Sequence, residues 1–112
     1  MLKKAFRVPS KKILEIIKSR KRFFHPLASL FVAENNTGRS RFSVIVPVKL
    51  SKKSSKRNPL RRKTSEIIRK NNFGLRAGFD CVLIFKPGSL QLSSKEIQEI
   101  LFSLFEKAGI KV

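Results

Sequence analysis

A chain of 112 residues has room for one domain, taken as residues 1–112, and one buried core. Hydrophobic residues make up 41% and Phe occurs ten times, which excludes a wholly disordered basic tail. Twenty-six Lys and Arg against seven Asp and Glu leave a formal charge of +19, a self-repulsion that a polyanion relieves.

The charge is unevenly placed. Residues 1–76 hold 22 basic and three acidic side chains, and residues 77–112 hold four of each. Between Glu34 and Glu66 there is no acid, yet ten basic residues occur, eight of them from Lys49 to Lys63. A solubilising surface intersperses both signs. Eight like charges in 15 residues point instead to phosphate.

In chain order, Pro9 and a Ser10 N-cap open a predicted amphipathic helix, Ser10 to Lys21, with Ile13, Ile16 and Ile17 on one face. Phe23-Phe24-His25-Pro26 then redirects the chain. Leu27 to Ala33 reads as a strand, Glu34 to Gly38 as a turn, and Phe42 to Val46 as the returning strand of an antiparallel hairpin. Pro47 makes the far end of that strand an edge or a bulge.

Ser51 to Arg57 lacks hydrophobic periodicity and reads as an extended basic connection. Asn58 as N-cap and Pro59 at the first helical position start the next helix, with Leu60, Thr64, Ile67 and Ile68 inward and Arg62, Glu66 and Arg69 outward. Asn71-Asn72-Phe73-Gly74 ends it. Cys81 to Phe85 is apolar on both faces and reads as a central strand. Ser93 with Glu96 forms a capping box, Leu92 with Ile97 a hydrophobic staple, and Gly109 a C-terminal stop for the last helix. The pattern predicts an α+β fold, helices layered on a small mixed sheet, with three strands visible.

Side chains for catalysis are sparse. One His (His25) sits in a bend without an acidic neighbour, and reads as a turn or surface residue. The Cys and His count excludes a zinc site, the acids are spread one or two per element, and no glycine falls in a GxGxxG or GxxxxGK[ST] spacing. No run approaches the roughly 18 apolar residues of a spanning helix. No secretory signal follows the basic opening, and Cys81 reads as a buried, reduced thiol, so a cytoplasmic binding protein is expected. Arg57, Arg61 and Arg62 at a helix entrance can hold phosphates by guanidinium forks and helix dipole together. With little Asn or Gln on the outer face to read base edges, RNA shape and backbone fit better than DNA sequence.

These residues resemble the bacterial ribonuclease P protein component. Lys49, Lys53, Arg57, Asn58, Arg61, Arg62 and Glu66 fall on the positions of that family's basic hallmark, of the type SKKxxxKAxxRNRxKRxxRE. Arg7-Val8, Phe23-x-x-Pro26-Leu27, Gly78-Phe79-Asp80, Pro87-Gly88, Leu92-Ser93 and Lys107-Ala108-Gly109 are similar to its other segments. Pro59 replaces the second Arg of the hallmark triplet, Pro47-Val48 replaces Ser-Lys, Lys52 stands at a usually small position, and Ile13 and Ile17 stand where the family shows Phe; the strand aromatic is kept as Phe31.

The resemblance implies an αβββαβα fold with a fourth strand and a left-handed crossover, like the second domain of a small-subunit ribosomal protein. It implies an accessory subunit of an RNA-based endoribonuclease that removes the 5' leader of precursor tRNA, with Mg2+ required by the RNA and no cofactor on the protein. Partners are then the catalytic RNA and precursor tRNA, without a membrane or an obligate protein partner. By analogy Lys49, Lys52, Lys53, Lys56, Arg57, Asn58, Arg61, Arg62 and Arg69 hold RNA, and a cleft of Ile13, Ile17, Phe31, Val44 and Val46 holds the leader. Two other classes stay open: a structural RNA-binding protein of the ribosome, and a membrane-surface protein using Leu2, Phe6, Phe23 and Phe24 beside lysines.

Overall fold

The computed structural model describes residues 7–18, 21–35, 38–71 and 78–110. The expected helix stop at Asn72-Phe73-Gly74, the turn at Asn36-Thr37, and Leu2 and Phe6 lie outside the described residues. The elements run α1 (Ser10–Ile17), β1 (Arg22–His25), β2 (Ala28–Glu34), β3 (Arg41–Ile45), α2 (Ser54–Asn71), β4 (Phe79–Phe85) and α3 (Ser94–Ala108), with a 3-10 turn at Val48–Leu50. This is the αβββαβα order implied by the resemblance.

The four strands are ordered β1-β2-β4-β3. β1 and β4 pair antiparallel with β2, while β3 runs parallel to β4, so the sheet is mixed. Two expectations are corrected here. Arg22–His25 is a strand, closed on β2 through the Pro26-Leu27 turn, where the sequence showed only a redirection. The expected hairpin of β2 with β3 does not form, because β4, apolar on both faces, takes the place between them. β3 is left at the edge, one of the two outcomes, edge or bulge, that Pro47 predicts for its far end.

Period-two alternation divides the sheet into two faces. Leu30, Val32, Cys81, Leu83, Phe85, Phe42 and Val44 meet α2 and α3 in the main core. Phe42 and Phe105 stack edge to face there, centroids 6.1 Å apart. On the opposite face, Phe31 and Val82 pack with Val8 and Ile16 beneath α1. This second cluster is small, and α1 lies chiefly over β2 and β4.

Helix ends follow local chemistry in one case and override it in another. In α3 the Ser93 hydroxyl accepts from the Glu96 amide while the Glu96 carboxylate accepts from the Ser93 amide, at 3.2 and 3.0 Å, and Gly109 closes the helix at φ 70°. α1 is shorter than expected and its N-cap is Pro9, without a side-chain cap. α2 starts at Ser54, so Ser54 to Arg57 is helical rather than extended, and Pro59 lies inside the helix. The Lys53 carbonyl accepts from the amides of Lys56 and Arg57 at 3.0 and 3.3 Å, and the Ser51 hydroxyl accepts from the Lys53 amide at 3.2 Å. That turn nucleates the helix one turn before the Asn58-Pro59 signal.

Candidate nucleic-acid interface

Along α2, Leu60, Thr64, Ile67 and Ile68 are buried, so the remaining circumference must face outward. Lys49, Lys52, Lys53 and Lys56 on the lead-in and first turn are exposed, as are Arg61, Arg62 and Lys63. The α2 start shifts Arg61 and Arg62 to the second and third turns, away from the helix N-terminus; Lys52, Lys53 and Lys56 stand beside it instead.

The predicted cations are not equivalent. Arg57 is half-buried, and its Nε is buried without a hydrogen-bond partner. Asn58 is not a cap: its Oδ1 accepts from Nη2 of Arg61 and steers that guanidinium. Arg69 holds Glu66 through two bonds of 3.2 and 2.7 Å, which draws the Glu66 carboxyl well below the usual carboxylate range. The Arg69 charge is therefore already paired, and Arg61, Arg62 and the lysines form the more open cationic surface. Lys63 reaches across to α3, its Nζ donating to the Leu92 carbonyl at 3.2 Å.

The predicted cleft divides. Ile13 and Ile17 are half-buried against the small cluster that contains Phe31, so these three do come together between α1 and the sheet. Val44 and Val46 do not join them: both belong to the main core on the other face. Alternation on β3 sends Phe42 and Val44 one way and Ser43 and Ile45 the other, so Ile45, with Ile84 of β4, replaces them. The signal was in the sequence, since Val44 and Val46 share the parity of Phe42.

Sequence reasoning also missed Arg41 and Asp80, a bidentate pair at 2.7 Å beside this face. It is structural, since the Asp80 side chain is only 3% exposed. Other chemistry-bearing groups are quiet. Burial and Asp80 push the Cys81 thiol up, out of the range where it reacts as a thiolate. The His25 imidazole accepts the Leu27 amide on Nδ1 at 3.1 Å. Among the described residues, no three His, Cys, Asp or Glu side chains gather to hold a metal ion, and no helix is long and apolar enough to cross a membrane.

Comparison with known proteins gives one family. The ribonuclease P protein component of Synechocystis is 32% identical over 79 residues, which cover 70% of this chain and 64% of that protein, a little under two thirds of its length. That of Clostridium botulinum is 30% identical over 102 residues, covering 90% of this chain and 91% of the relative. The solved structure of the ribonuclease P protein from Thermotoga maritima superposes with a TM-score of 0.79 at 25% identity, over 90% of this chain and 96% of that one. The family profile described as Ribonuclease P matches residues 2–109, nearly the whole sequence, and the chain belongs to that family.

Proposed function

We propose that the chain is the protein subunit of a ribonuclease P: it binds a catalytic RNA and the 5' leader of precursor tRNA, and assists endonucleolytic removal of that leader. The observation that carries this is the acid-free run of cations from Lys49 to Arg62, all exposed but the half-buried Arg57, on α2 and its lead-in. Each phosphate neutralised there releases condensed counterions, so affinity comes from the RNA backbone and falls with salt. The cleft of Ile13, Ile17, Phe31, Ile45 and Ile84 supplies the apolar surface on which an unpaired leader rests.

Bond cleavage is assigned to the RNA. In this reading Mg2+ serves the RNA chemistry. What the polypeptide contributes is charge neutralisation, leader positioning and a rigid support for both. A cytoplasmic location goes with this function and with a buried, unpaired thiol.

Reconstitution tests the proposal. Purified protein added to the catalytic RNA should raise precursor-tRNA cleavage at low Mg2+, and unchanged cleavage would refute it. Co-purification with ribosomal subunits and no effect on leader removal would favour a ribosomal role instead.

A further inference from the structure

β1 is an outer strand, and among the described strands its ladder partner is β2. Its residues alternate, Phe23 and His25 half-buried, Arg22 and Phe24 exposed. Arg22 is the register partner of Phe31 and Phe24 of Ser29, so both point to the α1 side of the sheet. Following the register onward, Ser29 pairs with Ile84 and Ile84 with Ile45. Phe24 thus begins a transverse row, Phe24-Ser29-Ile84-Ile45, one step along the sheet from the row of Phe31 and Val82.

Two cations from distant parts of the chain converge on this edge. Lys86, just past β4, places Nζ 5.3 Å from the Phe24 ring centroid and donates to the His25 carbonyl at 2.9 Å. Lys107, in the last turn of α3, donates to the Phe24 carbonyl at 3.2 Å. Their partners are 61 and 83 residues away in sequence, so the arrangement is tertiary. Phe24 nevertheless remains 56% exposed. His25 senses the same field: burial, then Lys107 and Lys86, hold its pKa below the ordinary value.

A lone exposed Phe is ordinary, and edge-strand lysines commonly guard against strand addition. A guard, however, projects outward along the edge; Lys86 lies over the ring, on the face the cleft shares. Each ammonium gives one of its three donors to a carbonyl and keeps two for an anion. Phe24 and Phe31 are diagonal neighbours on one sheet face, about 7–8 Å apart. Successive bases of an extended strand can span that gap.

We infer that Phe24, with Lys86, Lys107 and Arg22 around it, is a stacking platform for one further base of single-stranded RNA, beyond the part of the leader that rests under α1. This extends the leader contact proposed above and stands on it. Because every base has a π face, the platform reads leader length rather than leader sequence. The nearby ammonium groups hold the phosphate of the stacked nucleotide.

The chain has no Trp or Tyr, so Trp in a Phe24→Trp variant is its sole strong emitter. Titration of that variant with an oligouridylate should quench the emission, and Phe24→Leu, apolar but without a π face, should bind roughly 5-fold or more weaker than wild type. In the reconstituted holoenzyme, lengthening the precursor-tRNA leader should tighten binding by one final step that Phe24→Leu lacks. Phe102, exposed on α3, serves as control, and Phe102→Leu should bind like wild type. Unquenched emission, equal affinity of Phe24→Leu and wild type, or an equal loss in Phe102→Leu would each overturn the platform. If the wild-type holoenzyme shows no stimulated cleavage, the ribonuclease P proposal fails, and the oligouridylate titration still decides whether Phe24 stacks.

Discussion

Arg41 grips Asp80 through two parallel bonds, Nε to Oδ1 and Nη2 to Oδ2, each 2.7 Å, and the two residues are register partners on β3 and β4. Asn35, at the end of β2, adds a third bond from Nδ2 to Asp80 Oδ1 at 2.7 Å. One carboxylate therefore ties the chain beyond β2 to both parallel strands, at the end of the sheet where β3 begins. The side chains are 12% and 3% exposed, so the pair is shielded from water. Removing one partner leaves a buried charge uncompensated: Asp80→Asn should cost about 3–5 kcal/mol in urea unfolding. Replacing both, as Arg41→Met with Asp80→Leu, should cost clearly less, and a double variant weaker than Asp80→Asn would refute that account.

Pro59 is the sixth residue of α2, where a prolyl nitrogen cannot donate to the carbonyl four residues back, on Ser55. A proline at the first helical position would be harmless; one inside the helix costs up to about 3 kcal/mol. Pro59→Ala should therefore raise the unfolding free energy by roughly 1–3 kcal/mol. Pro59→Arg should do the same and, by restoring the family's guanidinium, tighten RNA binding. If Pro59→Ala were neutral or destabilising, the helix would start at Asn58 after all.

Elements specified by their own residues were legible. The α3 capping box and the doubly apolar β4 need no distant partner to be recognised, and both stand where the sequence put them. Elements specified by a partner were not. Phe23, Phe24 and His25 become a strand because β2 offers them a ladder, and β3 loses β2 because a strand some 35 residues later is the better neighbour. At α2 a strong local start signal, Asn58-Pro59, yielded to the turn at Ser51 and Lys53. The concentration of cations on α2 and its lead-in needed only counting, whereas the residues beside α1 needed the parity of β3, which places Ile45 and not Val44 or Val46 there.

Arg61 and Arg62 differ in their local ties, and mutation should expose the difference. Arg62 is exposed, and its loss in Arg62→Ala should weaken docking to the catalytic RNA by about 1–3 kcal/mol and reduce the salt slope by about 1. Arg61 is held by Asn58, so Asn58→Ala should weaken RNA binding through Arg61 while leaving the net charge unchanged. Filter binding across a salt series separates the two: Arg62→Ala changes the slope, Asn58→Ala lowers affinity at nearly constant slope. Neither should move the thermal midpoint by more than a degree or two, since neither side chain is in the core.

His25 links the hairpin end to pH. Burial first, then Lys107 and Lys86, lower its pKa from the ordinary 6.5. Protonation would also remove the Nδ1 acceptor of the Leu27 amide. The unfolded chain then binds more protons than the folded one below about pH 6.5, so stability present above that pH is lost as pH falls through the folded pKa. Carboxylates add their own acid dependence, and a difference measurement cancels it. His25→Asn keeps an acceptor for the amide two residues on, in an Asx turn, but cannot titrate. Wild type should lose stability relative to His25→Asn between about pH 7 and 5, read as diverging urea midpoints. Parallel curves would mean that the imidazole is as free to charge in the folded protein as in the unfolded chain, and that the two lysines do not press on it.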